Sequence, residues 1–229
     1  MNQTLEEIID KIRDKSLREK VAQLVEKPTI EIEGKLYTGL PLERSPASVS
    51  RHHSYSGGWL EHVAATAEIA LILCNVVKKV YHGKVDTDLV LCGVVLHDIF
   101  KPLTYTEMED GTYRISPLAE RLDHLTLITS ELIRRGFPLS VIHIVCAHHA
   151  EFGPISPKTL EALIVQIADI ADSRLNEKVL DAAKFLTRQA TGEEVWQISS
   201  MDAFNIVHIK AEKGLEDVKK YVTKFLGVN

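Results

Sequence analysis

The sequence has few cysteines, no long hydrophobic run and no excess of positive charge. Its three cysteines, Cys74, Cys92 and Cys146, form an odd set without a CxxC pair, so a reducing compartment is expected rather than a disulfide framework. No stretch of about 18 consecutive apolar residues occurs, and no transmembrane helix is predicted. The N-terminal segment MNQTLEEIIDKIRDK is charged throughout, unlike a secretory signal. These absences indicate a cytoplasmic protein with no membrane partner.

The charge balance restricts the class of partner. The chain has 27 Lys and Arg residues against 32 Asp and Glu, which gives a formal net charge of −5. Sequence-independent nucleic-acid binding normally needs a basic face, so long nucleic acid is not an expected partner. A small phosphorylated substrate is compatible with this charge, provided that a local site supplies positive charge.

The hydrophobic pattern predicts one mainly α domain. A chain of 229 residues, 45% hydrophobic and 26% charged, suits one globular domain with modest extensions. Small β-hairpins are predicted at 30–37 and 103–115. Apolar residues at helical spacing, with capping and breaking signals, predict helices at 4–27, 59–80, 86–99, 116–135, 138–150, 156–175, 177–190 and 199–225.

These elements divide into a central domain with two flanks. The central domain is predicted at 51–190, with an N-terminal helix and loop extension at 1–50 and a C-terminal accessory helix within 191–229. The apolar face of the last helix suits packing either on the core or on a second subunit. A homodimer therefore stays open at this point.

Polar residues interrupt the otherwise apolar helices. Five predicted helices carry such residues, at His62, His97-Asp98, His124, His148-His149 and Asp169 with Asp172. Burying an unpaired carboxylate or imidazolium is costly, and convergence on shared cations would remove that cost. Imidazole with carboxylate suits Mn, Fe, Co, Ni or Zn rather than Ca. The alternative is a set of unrelated core histidines, each with its own hydrogen-bond partner.

The same residues resemble a known family. The H…HD…D signature of the HD-domain metal-dependent phosphohydrolases is matched by His62, His97-Asp98 and Asp169. The extended form, H…HD…H…HH…D, adds His124 and His148-His149. Segments 52–62, 157–162 and 169–176 are similar to the HD domain of YhaM-type 3′-to-5′ exoribonucleases. The resemblance covers about residues 50–180.

The resemblance implies two divalent transition-metal ions and a hydrolytic reaction. In the extended family the ions lie about 3.5–4 Å apart and share a hydroxide that attacks phosphorus. The implied reaction is cleavage of a phosphodiester in a small nucleotide-type substrate, such as a cyclic nucleotide or a short oligonucleotide. A nucleotide phosphomonoesterase and a non-catalytic nucleotide-binding sensor are the alternatives. The implied ligands are His62, His97 and Asp169 for one ion, Asp98 as the bridge, and His124, His148 and His149 for the other.

Further residues are candidates for catalysis or substrate binding. Lys101 lies three residues after Asp98, and is expected either to bind a phosphate oxygen or to be a solvated lysine at a helix end. Arg51, His52 and His53 precede the first metal helix in a loop. They are candidates for phosphate binding, and His53 is also a candidate general acid. Asp98 and Lys101 are the other two catalytic candidates. Arg174 is expected either to bind phosphate or to pair with Asp172.

The chain departs from the family pattern at two places. Phe100 replaces the glycine that often follows HD-x, and its bulk either narrows the approach to the metals or packs in the core. YhaM-type enzymes also carry an OB-like nucleic-acid-binding domain before the HD domain. About 50 residues precede His52 here, mostly predicted helix, so an OB barrel is not expected. A small substrate is therefore favoured over long RNA.

Overall fold

The fold is mainly helical. The computed structural model describes residues 2–227, and within them it contains nine α-helices and two antiparallel hairpins. The hairpins pair β1 (Thr29–Ile32) with β2 (Lys35–Thr38), and β3 (Tyr105–Glu107) with β4 (Tyr113–Ile115). The predicted mainly α class is thereby confirmed. The helices are α1 (Gln3–Asp10), α2 (Lys15–Glu26), α3 (Gly58–Lys79), α4 (Thr87–Leu96), α5 (His124–Arg134), α6 (Leu139–Ala147), α7 (Leu160–Thr191), α8 (Ser200–Lys213) and α9 (Leu215–Leu226).

Helix α4 is the centre of the main core. It contacts α1, α2, α3, α6 and α7, which explains why its sequence is almost entirely apolar. Gly93 allows α6 and α7 to approach α4 closely. A Cβ at this position would lie 2.3 Å from Cγ2 of Ile144 and 3.1 Å from Cγ2 of Val165. Helices α4, α6 and α7, which carry part of the site, are therefore packed more closely than any larger residue at position 93 would permit.

Helix α3 is long and apolar enough to cross a membrane by length and composition alone. Its contacts explain the same composition differently. It packs against α4 and α7, and Trp59, His62 and Thr66 are fully buried on its inner face. Because this face is packed inside the fold, α3 is a core helix of the described structure.

The C-terminal helices pack on the long helix α7 of the same chain. Leu180 and Ala183 from α7, Ile206 from α8 and Val218 from α9 form a second buried cluster. The sequence left open whether the C-terminal helix packs on the core of its own chain or on a second subunit, and the structure shows it packed on its own chain. The N-terminal helices α1 and α2 contribute to the main core instead. The division at residues 50 and 190 and the homodimer stay predictions.

Several predicted helix boundaries are wrong because local caps override the periodicity. The N-terminal helix is two helices, since the Asp14 carboxylate accepts a hydrogen bond from Leu17 N and starts α2. Helix α5 begins at His124 rather than near 116. At the predicted start, the Ser116 hydroxyl donates a hydrogen bond to the Leu103 carbonyl. At the observed start, Asp123 is the N-cap residue of α5.

The C-terminal half differs in a similar way. The two helices predicted over 156–190 are one continuous helix, α7, which begins after the Thr159 N-cap. The single helix predicted over 199–225 is two helices. Gly214, with a φ of 92°, separates them, and this backbone conformation is open to glycine but not to most residues.

Candidate metal centre

The site lies where several helices begin or end. Helices α4 and α6 end with His97 and His148 as their C-cap residues. Helix α5 begins at His124. Trp59, in the first turn of α3, donates its indole N–H to the Asp98 carbonyl at 2.9 Å and so ties α3 to the end of α4. Sequence reasoning missed this contact, although a buried tryptophan normally needs a hydrogen-bond partner.

A first cluster joins α3, α4 and α7. The Nε2 atom of His62 lies 3.1 Å from Nε2 of His97 and 3.4 Å from Oδ1 of Asp169. The Oδ2 atom of Asp98 lies 3.6 Å from His62 Nε2 and 3.4 Å from His97 Nε2. Both imidazole rings are fully buried. Four potential metal-ligating atoms, from α3, from α7 and from the C-terminal end of α4, therefore face one another.

A second cluster adjoins the first on the other side of Asp98. Its Oδ1 atom lies 3.2 Å from Nε2 of His124 and 3.6 Å from Nε2 of His148. The ring of His149 lies beside those of His148 and His124, with centroid separations of 3.9 and 5.2 Å. Potential ligand atoms of these four residues all lie within 4.8 Å of one another. The two oxygens of Asp98 thus face two different sets of histidines.

Hydrogen bonds behind the rings fix the orientation of three histidines. Nδ1 of His97 lies 2.8 Å from the Val94 carbonyl, and Nδ1 of His148 lies 2.6 Å from the Val145 carbonyl. Because a carbonyl only accepts, Nδ1 carries the proton and the Nε2 lone pair faces the cluster. Nδ1 of His62 lies 2.7 Å from the Asp172 carboxylate. Such outer partners are typical of metal-ligating histidines.

Buried polar atoms that lack a hydrogen-bond partner indicate whether a cation would fit in the second cluster. Among the described residues, Oδ1 of Asp98 and Nε2 of both His124 and His148 are buried without a hydrogen-bond partner. An unsatisfied buried polar atom normally costs about 1–3 kcal/mol. All three atoms belong to the second cluster and converge on one another. A divalent cation bound by imidazole nitrogen and carboxylate oxygen would satisfy them together.

The electrostatics hold the carboxylates ionised. Burial alone would raise the pKa of Asp98, but the charges of Lys101 and His97 outweigh it and hold that pKa well below its usual range. Nζ of Lys101 lies 2.6 Å from Asp98 Oδ2. The pKa of Asp169 is also held low, because hydrogen bonding to His62 outweighs burial.

The histidines of the two clusters differ in their electrostatics. Burial lowers the pKa of His124, and burial with the neighbouring His148 lowers that of His149 to about 3. These rings are therefore neutral, which is the form that binds metals. Burial also acts to lower the pKa of His62, but hydrogen bonds to Asp169 and Asp172 outweigh it and raise it well above the ordinary value.

A second layer of polar residues supports His62 from behind. Nε2 of His53 lies 2.9 Å from Asp172 Oδ2, and its Nδ1 lies 2.7 Å from the Tyr55 hydroxyl. Its backbone N–H donates to Oδ1 of Asn176 at 2.6 Å. Both ring nitrogens of His53 are thus engaged, and Asp172 links His53 to His62. The expected catalytic role of His53 stays a prediction. Sequence reasoning assigned no role to Tyr55 and Asn176, although both lie in the segments 52–62 and 169–176 that resemble the family.

The other candidate residues lie at different depths. His52 faces the site: its ring centroid is 5.2 Å from that of His62, and its Nε2 is buried without a hydrogen-bond partner among the described residues. Arg51 and Arg174 are exposed. In the described part of the chain Arg174 forms no ion pair. The structure therefore gives no contact for the expected pair with Asp172.

Phe100 packs in the core. It is fully buried in the main hydrophobic cluster. Of the two interpretations of this departure from the family pattern, the structure supports core packing and not a narrowed approach to the site.

A cavity of about 680 Å³ adjoins the second cluster. His124 and His149 line it, and the other lining residues come from α5 and its N-cap, from α6 and from residues 152–154. Cavities of this size suit small-molecule ligands. The apolar part of the lining comprises Leu125, Ile133, Phe152 and Pro154.

Comparison with known proteins identifies the family. A model of the HD domain matches residues 59–174. The chain is also 34% identical over 224 residues to the dihydroneopterin 2′,3′-cyclic phosphate phosphodiesterase of Methanocaldococcus jannaschii, covering 96% of this chain and 90% of the relative. The chain belongs to the HD domain family. It is a metal-dependent phosphohydrolase, as the resemblance of its motifs predicted, and its His and Asp clusters are able to hold divalent metal.

A second relative shares a smaller part. The 3′-5′ exoribonuclease YhaM of Halalkalibacterium halodurans is 30% identical over 168 residues, which cover 69% of this chain and 49% of the relative. The chain thus spans about half the length of that enzyme. No solved structure gives a significant match.

Proposed function

We propose that this protein hydrolyses a cyclic phosphodiester in a small heterocyclic substrate and uses two divalent transition-metal ions to do so. The substrate named for the Methanocaldococcus relative, dihydroneopterin 2′,3′-cyclic phosphate, is the model compound, because that similarity covers nearly all of both chains. The ions would be Mn, Fe, Co, Ni or Zn, since the donors are imidazole and carboxylate. We place the enzyme in the cytoplasm, in keeping with its free cysteines.

One observation carries the proposal: the two oxygens of Asp98 face two separate sets of histidines. A carboxylate between two ligand clusters is suited to bridge two ions. The first ion would be held by His62, His97, Asp98 and Asp169, and the second by Asp98, His124, His148 and His149. When bound, such a pair supplies positive charge to phosphoryl oxygens and lowers the pKa of water.

Nearby side chains have proposed roles of their own. Lys101 holds the Asp98 carboxylate ionised through its 2.6 Å contact and adds positive charge beside the clusters, where it can also bind a phosphoryl oxygen. His52 presents a buried, unpaired Nε2 to the same region. Burial, together with the charge of Lys101, lowers its pKa to about 3. Its neutral ring is therefore proposed to hydrogen-bond the substrate rather than to donate a proton as a cation.

The proposed substrate is small. The net charge of −5 is unfavourable for long polyanions. The cavity beside the second cluster matches a single nucleotide-sized molecule rather than a strand.

The test is hydrolysis by metal-stripped protein with and without added Mn²⁺. Dihydroneopterin 2′,3′-cyclic phosphate, bis(p-nitrophenyl) phosphate and p-nitrophenyl phosphate are compared at equal concentration. We expect metal-dependent cleavage of the two diesters and formation of a monoester product. The metal content of the active protein should approach two ions per chain.

Three other outcomes would redirect the proposal. Turnover of the monoester alone would indicate a nucleotide phosphomonoesterase. Metal binding and ligand binding without turnover would indicate a sensor. Faster cleavage of long RNA than of the cyclic phosphate would contradict the small-substrate assignment.

A further inference from the structure

The cavity beside the second cluster is lined by candidate metal ligands and by apolar side chains. His124 and His149 belong to the candidate metal site. Leu125 and Ile133 from α5, together with Phe152 and Pro154, supply the apolar part of the lining, and polar residues of α5 also line it. A ligand that fills the cavity would therefore contact the candidate metal ligands and apolar side chains at the same time.

Phe152 is the most unusual wall residue. It ends a short 3₁₀ turn, Ala150–Phe152, that follows His148-His149 directly, and its side chain is 88% exposed. Ala150 has a φ of 48°, a left-handed conformation that few residues other than glycine adopt. A solvent-exposed aromatic ring therefore lines a cavity that the candidate metal ligands His124 and His149 also line. Packing against its own core does not explain this position.

Polar groups occur on the α5 side of the same cavity. Asp123 caps α5 through one carboxylate oxygen, Oδ1, which accepts from Thr126 N at 2.6 Å. Among the described residues the structure shows no hydrogen bond to its other oxygen. Two further lining residues are in contact, since Oγ1 of Thr129 lies 3.2 Å from Sγ of Cys146 and links α5 to α6. An ionised carboxylate with a free oxygen can accept N–H groups from a ligand ring edge.

We infer that this cavity is the subsite for the heterocycle of the substrate, with Phe152 stacked on the ring and Asp123 accepting its N–H groups. The inference rests on the proposed function and adds to it the location and chemistry of substrate selection. The ligand class is a flat nitrogen heterocycle with neighbouring N–H donors, an edge that pterins and guanine share. Stacking on an aromatic side chain would then set affinity, and the carboxylate would set orientation.

The experiment compares two cyclic phosphates that differ only in whether they carry a ring system. Dihydroneopterin 2′,3′-cyclic phosphate has the heterocycle, whereas glycerol 1,2-cyclic phosphate has the same five-membered phosphodiester without it. For Phe152→Ala we expect kcat/KM on the first substrate to fall at least about tenfold, mainly through KM. Activity on glycerol 1,2-cyclic phosphate should stay unchanged. Phe152→Tyr keeps the ring and should retain the activity.

Phe185→Ala is the matched control, because Phe185 is similarly exposed, at 64%, but lies on α7 outside the lining of the cavity.

Asp123→Asn keeps an N-cap side chain while removing the charged acceptor. It should weaken binding of the heterocyclic substrate and leave the glycerol compound unaffected. Phe152→Ala and Asp123→Asn should both leave the metal content of the protein unchanged.

Direct binding separates failure of the subsite from failure of the proposed function. Neopterin, which lacks phosphate, is titrated against wild-type protein and the variants. Tenfold weaker binding by Phe152→Ala supports the subsite even if no cyclic phosphate is hydrolysed. Equal loss on both cyclic phosphates, or unchanged kinetics and unchanged neopterin binding in Phe152→Ala, would overturn the inference.

Discussion

Replacing Asp172 by asparagine tests the second layer of the metal site. The carboxylate contacts two imidazoles, His62 Nδ1 at 2.7 Å and His53 Nε2 at 2.9 Å, and is almost completely buried. Burial alone would raise its pKa, but hydrogen bonds from these two histidines lower it to about 2. It is therefore an anion at neutral pH. Asparagine has nearly the same shape but lacks the charge.

The size of the effect follows from this geometry. Charge-assisted hydrogen bonds are roughly twice as strong as neutral ones, and the anion increases the basicity of the His62 ring. Loss of such an outer carboxylate typically weakens metal binding about 10–100-fold, or about 1.4–2.7 kcal/mol. The loss should fall on the first cluster, because His62 does not belong to the second.

Metal titration of stripped protein by calorimetry measures this change, with circular dichroism as the check of folding. Asp181→Asn is the matched control. It is the same substitution on the same helix, at an exposed position whose nearest cationic partner is Lys178 at 3.9 Å. Unchanged metal affinity in a folded Asp172→Asn protein would refute the assignment of Asp172 as the residue that orients His62.

Three further predictions concern the bridging carboxylate of Asp98, the packing at Gly93 and the buried carboxylate of Glu131 with its two arginine partners. Asp98→Asn should reduce bound metal and lower kcat at least about 100-fold, measured by metal analysis and diester hydrolysis. Gly93→Ala should destabilise the fold by about 1–3 kcal/mol in urea unfolding, because its Cβ would meet the stiff, buried side chain of Ile144. Glu131→Gln should cost about 2 kcal/mol at pH 7, since the Glu131 carboxylate accepts hydrogen bonds from two arginines.

The pH dependence of the last variant has a definite sign. Burial acts to raise the pKa of Glu131, but hydrogen bonds from Arg134 and Arg135 outweigh it and lower it. Its contribution is therefore present above the unfolded pKa of about 4.3 and lost as the pH falls through the folded pKa. The gap between wild type and variant should close in acid.

Each of these predictions has an outcome that contradicts it. A constant gap for Glu131→Gln from pH 7 to pH 3 would exclude the ion pair as its source. A stabilised Gly93→Ala would show that helix propensity outweighs the close contact. Full turnover by Asp98→Asn would contradict the bridging role.

The candidate site was largely predictable because its residues are chemically out of place. A histidine or aspartate within an apolar helix needs a partner, and that requirement can be read without coordinates. The hydrophobic periodicity likewise predicted the mainly α class and the first hairpin, and the turn signal at 109–111 predicted the second. The periodicity did not locate the breaks at Asp14 and Gly214, or the uninterrupted length of α7. Those depend on individual caps and on packing across the core.

The sequence by itself determined which residues are available for metal binding and which helices carry them. Only the tertiary structure decided that Asp98 lies between two clusters and that Asp172 contacts both His53 and His62. It also decided that Phe100 is buried while Phe152 is an exposed residue of the cavity lining. The physical reason is that periodicity reports which face of a helix is buried, whereas the close packing of several helices sets how their ends meet and which atoms face one another.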